Sequence, residues 1–132
     1  MRVLLDTHVL LWALGEPRRL DAETRGTIES SDTEVLFSAA SIWEIAIKSG
    51  LGRTGFVLDP AEIARAAINT GFSELAVRAN AAALVGRLPL LHRDPFDRLL
   101  VAQAIVEPAT LYTADQQLVP YSDLVRRIGA GK

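Results

Sequence analysis

Residues 1–14, MRVLLDTHVLLWAL, decide the fold of this chain. Arg2–Leu5 form a short, almost wholly apolar run that stops at Asp6, and a second apolar run begins at Val9. The first run has the length of a buried strand and the second that of the start of a helix. A continuous apolar strand is typical of a parallel sheet that helices cover on both faces. The stretch therefore predicts an α/β fold with Asp6 at the carboxyl end of a central strand, the edge where open α/β sheets bind ligands.

The rest of the chain alternates between strand-like and helix-like segments, with capping residues, prolines and glycines at their ends. A turn is predicted at 15–19, a loop at 50–58 and a helical turn at 115–118. We predict strands at 35–37, 72–75, 110–113 and 124–128, and helices at 21–30, 39–49, 59–70 and 77–85. A further helix begins at Asp94 and ends before Pro108. Such alternation is typical of a doubly wound sheet.

The composition, 49% hydrophobic and 23% charged, is that of an ordinary soluble globular protein. The length of 132 residues argues for one domain, residues 1–132, with room for a core. The lack of cysteine excludes disulfides and thiolate metal sites, and two histidines, His8 and His92, make a zinc site of the usual kind improbable. A formal charge of −2 gives no global basic signature for nucleic acid. Binding to a polyanion would need local basic residues or metal ions.

The sequence gives no indication of a membrane segment, since no apolar stretch approaches the ~20 residues that a membrane span needs. The apolar opening also differs from a secretory signal, because Asp6 and His8 interrupt it and no small-residue cleavage site is apparent. We therefore expect a cytoplasmic protein that makes no contact with a membrane.

Four acidic residues each follow a predicted strand or lie near the start of a predicted helix. They are Asp6, Glu44, Asp97 and Asp115. In a parallel α/β sheet these points fall on the same edge, so residues far apart in sequence can converge there. Carboxylates gathered in a small volume raise each other's pKa unless a divalent cation neutralises them, and hard oxygen ligands suit Mg²⁺ or Mn²⁺. The chemistry that such a cluster supports best is hydrolysis of a phosphodiester by a metal-activated water.

Each of these acids also has a structural explanation. Asp6 or Thr7 can cap the first helix, and Asp115 can begin a turn of helix. Glu44 precedes Lys48 by four residues, so an exposed helical ion pair worth roughly 0.3 to 0.5 kcal/mol explains Glu44 almost as well. The neighbouring Trp43, however, indicates that this helix is not plainly exposed to solvent.

The segment HRDPFD contains two aspartates whose roles the sequence leaves ambiguous. Asp94 suits a helix cap, Pro95 suits the first turn, and Asp97 stands at the capping-box position. One of the two aspartates can be structural while the other binds metal.

Other polar and aromatic residues have ordinary explanations. A histidine beside a cap is more often a hydrogen-bonding or surface residue than a base, which applies to His8 and His92. Trp12 and Trp43 are expected in the core or in an interface. Some basic residues could contact phosphates, although solvated charge is the default for each: Lys48, Arg53, Arg93 and Arg98.

Four segments of the chain resemble the successive motifs of a known family. They are LLDTHVLLWAL near the start, SAASIWEIAIKSGLG in the middle, LPLLHRDPFDRLLVAQA later and LYTADQQL near the end. Their order and spacing resemble those of PIN-domain ribonucleases, specifically the VapC-type toxins of bacterial toxin–antitoxin pairs. The resemblance covers essentially the whole chain, and HRDPFDRLLVAQA is its most specific motif.

The resemblance implies an acidic metal-binding centre. Its members would be Asp6, Glu44, Asp97 and Asp115. Asp94 would be an auxiliary acidic residue or a cap, and Thr113, in the Thr-x-Asp pattern, would help to orient a ligand or water. Asp97 is preferred to Asp94 as a ligand because seven residues separate it from Ala104, as in the family's helix motif.

The resemblance also implies a three-layer α/β/α fold with a mainly parallel sheet. The implied activity is that of an endoribonuclease that depends on Mg²⁺ or Mn²⁺ and forms a homodimer. A cognate VapB-type antitoxin would inhibit it, and the apolar first two helices, with Trp12 and Leu14, are compatible with a groove for a partner helix. Two other functions stay open: a non-catalytic PIN-like module that binds RNA or protein, and a DNA nuclease or phosphatase with the same acidic centre.

Overall fold

Five parallel strands form one sheet in the computed structural model, which describes residues 1–50 and 58–129. The strands are β1 (Arg2–Leu5), β2 (Glu34–Ser38), β3 (Ser73–Leu75), β4 (Thr110–Thr113) and β5 (Val125–Arg127). Their order across the sheet is β3-β2-β1-β4-β5, which makes the first strand the central one. Leu5 pairs with Phe37 of β2 and with Tyr112 of β4, so the residues that follow these positions leave the sheet at the same edge.

Six α-helices cover these strands within the described ranges. They are α1 (Thr7–Gly15), α2 (Ala22–Glu29), α3 (Ala39–Gly50), α4 (Pro60–Thr70), α5 (Ala79–Val85) and α6 (Pro95–Val106). Short 3₁₀ helices, Pro17–Arg19 and Gln116–Tyr121, follow α1 and β4. The caps predicted at Asp59 and Asp94 are confirmed, because each side chain accepts a hydrogen bond from the amide two residues on. None of the described helices is long and apolar enough to cross a membrane.

Apolar side chains cover both faces of the sheet and produce a three-layer α/β/α fold. Successive residues of β1 point to opposite faces. Leu5 packs in one cluster with Leu10 of α1 and Ala67 of α4, whereas Leu4 packs in another with Leu100 of α6. Both clusters use the continuous apolar run of β1, which confirms the fold class predicted from it.

The structure differs from the predicted elements mainly around α5 and after β4. α5 begins at Ala79 rather than Val77, because Arg78 has an extended backbone conformation and is the N-cap. The helical turn predicted at 115–118 is a 3₁₀ helix that continues to Tyr121. The predicted loop at 50–58, which includes Arg53, lies mostly outside the described residues.

Candidate metal centre

Asp6 follows β1 directly and uses both of its carboxylate oxygens in hydrogen bonds. Oδ1 accepts a bond of 2.8 Å from the amide of Val9 and thereby caps α1. Oδ2 accepts a bond of 2.5 Å from the hydroxyl of Thr113, at the end of the neighbouring strand β4. The residue is only 4% exposed. The cap considered for Asp6 is therefore present, and the capping carboxylate is a buried group at the carboxyl edge of the sheet.

Asp115 follows β4 and is joined to Asp6 through Thr113. The buried Thr113 hydroxyl donates to Asp6 and accepts a bond of 3.0 Å from the amide of Asp115. Oδ1 of Asp115 caps the following 3₁₀ helix through the amide of Gln117, at 2.9 Å. Oδ2 lies 2.7 Å from Nε2 of His92. The expectation that Thr113 helps to orient a ligand or water stays a prediction, and its hydroxyl contacts both Asp6 and the backbone of Asp115.

The first turn of α6 holds Asp94 and Asp97 in different roles. Oδ1 of Asp94 accepts a bond of 2.9 Å from the amide of Phe96 and caps the helix. A capping box would require Asp97 to accept a bond from the amide of Asp94, but that amide donates to Nδ1 of His92 at 3.0 Å. Oδ2 of Asp97 lies 3.6 Å from Nε2 of the same imidazole. The capping-box interpretation of Asp97 is therefore wrong, because His92 takes its place.

Burial and neighbouring negative charge make two of the carboxyl groups weaker acids. Burial, and then the charges of Asp94, Asp6 and Glu44, raise the pKa of Asp97 from 3.8 to about 7. Burial is also the main reason why the pKa of Asp6 is raised, and the charge of Glu44 adds to it. These acids therefore repel one another, as expected for carboxylates that share a small volume.

Glu44 is buried on α3, with a partner for each carboxylate oxygen. Oε1 accepts a bond of 2.6 Å from the hydroxyl of Thr7, which lies 3.0 Å from that of Ser41. Oε2 is paired with the ammonium of Lys48, one helical turn further on. The ion pair considered from the spacing is present, but Glu44 is only 2% exposed, so it is not the exposed pair that the spacing suggested. Each oxygen of an ionised carboxylate has two lone pairs, so these contacts leave lone pairs of Glu44 available for a cation.

The structure brings all four predicted acids to the carboxyl edge of the sheet. Asp6 and Asp115 share a hydrogen-bonded hydroxyl, and the charges of Asp6 and Glu44 act on Asp97. Oxygens of Asp97 and Asp115 and a ring nitrogen of His92 lie within 4.8 Å of one another, so the two carboxylates are close enough to share one ion. Carboxylate oxygens dominate this region, and ligands of that type suit Mg²⁺ or Mn²⁺. The ligand role of each acid stays a prediction.

The contacts that three side chains make around the acids were not predicted from the sequence: Thr7, Ser41 and His92. Weak signals for two of them existed. Thr7 directly follows Asp6 in the sequence. Ser41 precedes Glu44 by three residues, so Ser41 and Glu44 lie on one face of α3. Nothing in the sequence predicted that His92 would reach a carboxylate 23 residues away.

The basic residues considered as phosphate contacts have different surroundings. Nη2 of Arg98 donates to the carbonyls of Val85 and Leu88, both at 3.1 Å, so this guanidinium ties α6 to the end of α5. Lys48 is engaged by its buried acidic partner. Arg93 is exposed, next to the N-cap of α6. Among the described candidates, Arg93 is therefore the basic residue whose exposure best suits a phosphate contact.

The two tryptophans lie at the periphery of the molecule. Trp43 is 59% exposed and meets Phe96 edge-on, with ring centroids 5.0 Å apart. Trp43 is therefore not a core residue. Trp12 is half-buried, lies 4.8 Å from the guanidinium of Arg19, and lines a groove of about 600 Å³ between α1 and α4.

Three comparisons relate the chain to known proteins. The model of a family described as PIN domain matches residues 3–123. Ribonuclease VapC22 of Mycobacterium tuberculosis is 33% identical over 120 residues, which are 88% of this chain and 88% of that protein. The crystal structure of VapBC2 from Rickettsia felis bound to a DNA fragment from their promoter has a TM-score of 0.69 and 16% identity, covering 98% of this chain and 100% of that one. At this low identity, the structural likeness concerns the fold alone.

Proposed function

This chain belongs to the PIN-domain family, and we propose that it is the toxin of a type II toxin–antitoxin pair that acts as an endoribonuclease. The reaction is hydrolysis of RNA phosphodiester bonds, with Mg²⁺ or Mn²⁺ as cofactor. One observation carries the proposal: four carboxylates from distant parts of the chain lie at one edge of the sheet. The similarity to ribonuclease VapC22 supports RNA as the substrate class.

The donor set of this centre fits a divalent cation. Burial and repulsion raise the pKa of Asp97 to about 7 and raise that of Asp6, and positive charge at the site would oppose both effects. Oxygens of Asp6, Asp97 and Asp115 would hold the ion, with Glu44 completing the acidic set. When bound, the ion would lower the pKa of a water molecule and stabilise negative charge on the leaving oxygen.

The chain's own residues hold the carboxylates in place before any ligand binds. Thr113 fixes Asp6 and the backbone of Asp115, and Thr7 fixes Glu44. Such preorganisation lowers the cost of arranging charged groups during a reaction. Because its pKa is about 7, Asp97 is largely protonated at pH 6 and largely ionised at pH 8, and only the ionised form is a good ligand. We therefore expect tighter cation binding at about pH 8 than at about pH 6.

Cleavage of structured RNA in Mn²⁺, with and without EDTA, tests the proposal. We expect cleavage that EDTA abolishes and that Asp6→Asn or Asp97→Asn reduces to background while the fold is kept. Asp32→Asn is the matched control, because it removes an exposed carboxylate in the turn before β2, at the opposite edge of the sheet. Full activity in either centre variant would contradict the assignment.

The same purified protein separates this function from the other candidates. Retention of RNA without cleavage would favour a non-catalytic binding module. Preferential cleavage of DNA, or of a phosphomonoester, would favour a DNA nuclease or a phosphatase with the same centre. We expect RNA to be the preferred substrate when the three compete.

We further propose that the groove between α1 and α4 binds a VapB-type antitoxin. Its lining is largely apolar and includes Trp12, Leu14, Ile63 and Ala66, which suits the apolar face of a partner helix. Ala66→Arg, which puts a long charged side chain into the groove, should prevent co-purification with a DNA-binding protein encoded by a neighbouring small reading frame. Asn69→Arg, an exposed position on α4 outside the groove, is the control. Equal recovery of the partner with both variants would contradict the proposal.

A homodimer is the proposed assembly, with the exposed Trp43 and the partly buried Phe96 that it contacts at the interface. An adjoining groove of about 220 Å³ is lined by apolar groups that include Val85 and Leu99. Exposed apolar patches of this kind are common in subunit interfaces. Trp43→Ser should shift the protein towards monomer in light scattering, whereas Val77→Ser, at another exposed apolar residue, should not. A monomeric unaltered chain would overturn this part of the proposal.

A further inference from the structure

His92 lies between the two chain segments that carry Asp97 and Asp115. Its Nε2 atom is 2.7 Å from Oδ2 of Asp115 and 3.6 Å from Oδ2 of Asp97. The side chain is 14% exposed, so protein groups largely enclose it. An imidazole in this place is either a third ligand of a shared ion or a support for the carboxylates. The position of its proton distinguishes the two roles.

The other ring nitrogen shows where that proton is. Nδ1 of His92 lies 3.0 Å from the backbone nitrogen of Asp94. A backbone amide is only a donor, so Nδ1 accepts this bond with its lone pair. Nε2 is then the ring nitrogen that carries a proton, and it donates a hydrogen bond to Oδ2 of Asp115. A ring nitrogen that carries a proton has no lone pair for a cation.

A second contact ties His92 to the segment that follows Asp115. The hydroxyl of Tyr121, at the end of the 3₁₀ helix, accepts bonds of 3.0 Å from the amides of Leu91 and His92. The stretch before α6 is thus attached to the stretch after β4 at two points, one through the backbone and one through the imidazole. Both attachments fix the position of Asp115 relative to α6, which Asp94 caps.

We propose that His92 is a positioning residue of the acidic centre: its imidazole, which accepts from the amide of Asp94 and donates to Asp115, holds the carboxylate of Asp115 beside that of Asp97 and is not itself a ligand of the cation. This inference rests on the proposed function, because a positioning role for His92 presupposes that the acidic centre binds a cation. To act as a ligand through Nε2, His92 would have to move its proton to Nδ1 and lose the bond from the amide of Asp94. The ligands expected from this chain are therefore all oxygen atoms.

Two variants of His92 separate the two ends of the imidazole. In His92→Asn the side-chain oxygen can still accept from the amide two residues on, as in an Asx turn, but the donor to Asp115 is lost. In His92→Gln the amide nitrogen reaches the place of Nε2 and restores that donor. We would measure Mn²⁺ affinity of the purified chains from the electron paramagnetic resonance signal of free Mn²⁺. Circular dichroism would establish that each variant is folded.

We expect His92→Asn to bind Mn²⁺ about 10-fold more weakly or worse, as for the loss of other groups that orient metal ligands, and His92→Gln to recover most of the affinity. Electron spin-echo spectra of the unaltered chain with Mn²⁺ would show nitrogen coupling if an imidazole were bound directly, and we expect no such coupling. This measurement does not depend on the folding of a variant. Such coupling, or unchanged affinity in His92→Asn, would overturn the inference while leaving the proposed function intact. Failure of the unaltered chain to bind Mn²⁺ would overturn both.

Discussion

The hydroxyl of Thr113 donates a hydrogen bond of 2.5 Å to Oδ2 of Asp6 and so joins the ends of two adjacent strands, β4 and β1. The same hydroxyl accepts a bond of 3.0 Å from the amide of Asp115. Thr113 has no exposed surface, so water cannot replace either contact. One buried side chain therefore sets the relative positions of two acids that are 109 residues apart in the sequence.

Thr113→Val should destabilise the protein and weaken cation binding, because a methyl group replaces the hydroxyl and leaves a carboxylate oxygen and an amide without partners. We expect a loss of about 1 to 3 kcal/mol in the free energy of unfolding, measured with urea in the metal-free state. Thr113→Ser keeps the hydroxyl and should lose much less. Equal stability of the two variants would show that the hydroxyl does not carry the contact.

Asp97→Asn should make the metal-free protein more stable at alkaline pH. The folded state raises the pKa of Asp97 from 3.8 to about 7, so it binds a proton there more tightly than the unfolded chain does. The stabilisation from this proton is complete below the unfolded pKa and is lost as the pH rises to about 7. An asparagine stays neutral, so near pH 8 the variant should exceed the unaltered chain by up to about 4 kcal/mol, and the difference should shrink towards pH 4.

Urea unfolding in EDTA at several pH values measures this difference directly. Asp32→Asn, at an exposed carboxylate outside the centre, should show no comparable gain. A stability difference between Asp97→Asn and the unaltered chain that does not vary with pH would mean that the Asp97 carboxyl is not held in a protonated state by the fold.

Lys48→Met should destabilise the metal-free protein through Glu44. Glu44 is buried and Lys48 is only partly exposed, so removal of the ammonium leaves a buried carboxylate without its counterion. We expect a loss of about 1 to 3 kcal/mol in urea unfolding at neutral pH, which Glu44→Gln in the same chain should largely restore. Saturating Mn²⁺ should also reduce the loss, because a nearby cation again balances the charge. Additive effects of the two substitutions would contradict the coupling.

The fold was predictable because its evidence is local. Within the first strand, residues 3–5 are apolar on both faces, and the caps at Asp59 and Asp94 depend on only three or four consecutive residues. The convergence of the acids follows from the same logic, since parallel strands end at one edge. At Asp6 and Asp115 the cap and the acidic centre are compatible, because one oxygen caps the helix while the other contacts a polar side chain of the centre.

The supporting contacts were not predictable because they join residues that are far apart in the sequence. Thr7 donates a hydrogen bond to Glu44, which is 37 residues away. The imidazole of His92 accepts the hydrogen bond of the Asp94 amide, which a capping box at Asp97 would need. Nor does a tryptophan's sequence context reveal its exposure: Trp43 lies beside a buried acid and is itself largely exposed. Side-chain contacts of this kind depend on packing between elements.

A crystal structure of the unaltered chain with Mn²⁺, in which anomalous scattering locates the ion, tests the central claim most directly. We predict a peak in contact with carboxylate oxygens of Asp6, Asp97 or Asp115, at the distances of about 2.0 to 2.3 Å typical of hard cations, with Glu44 in the same site. A bound Mn²⁺ located elsewhere, with these carboxylates free of the ion, would contradict the claim that the fold gathers them to share a cation.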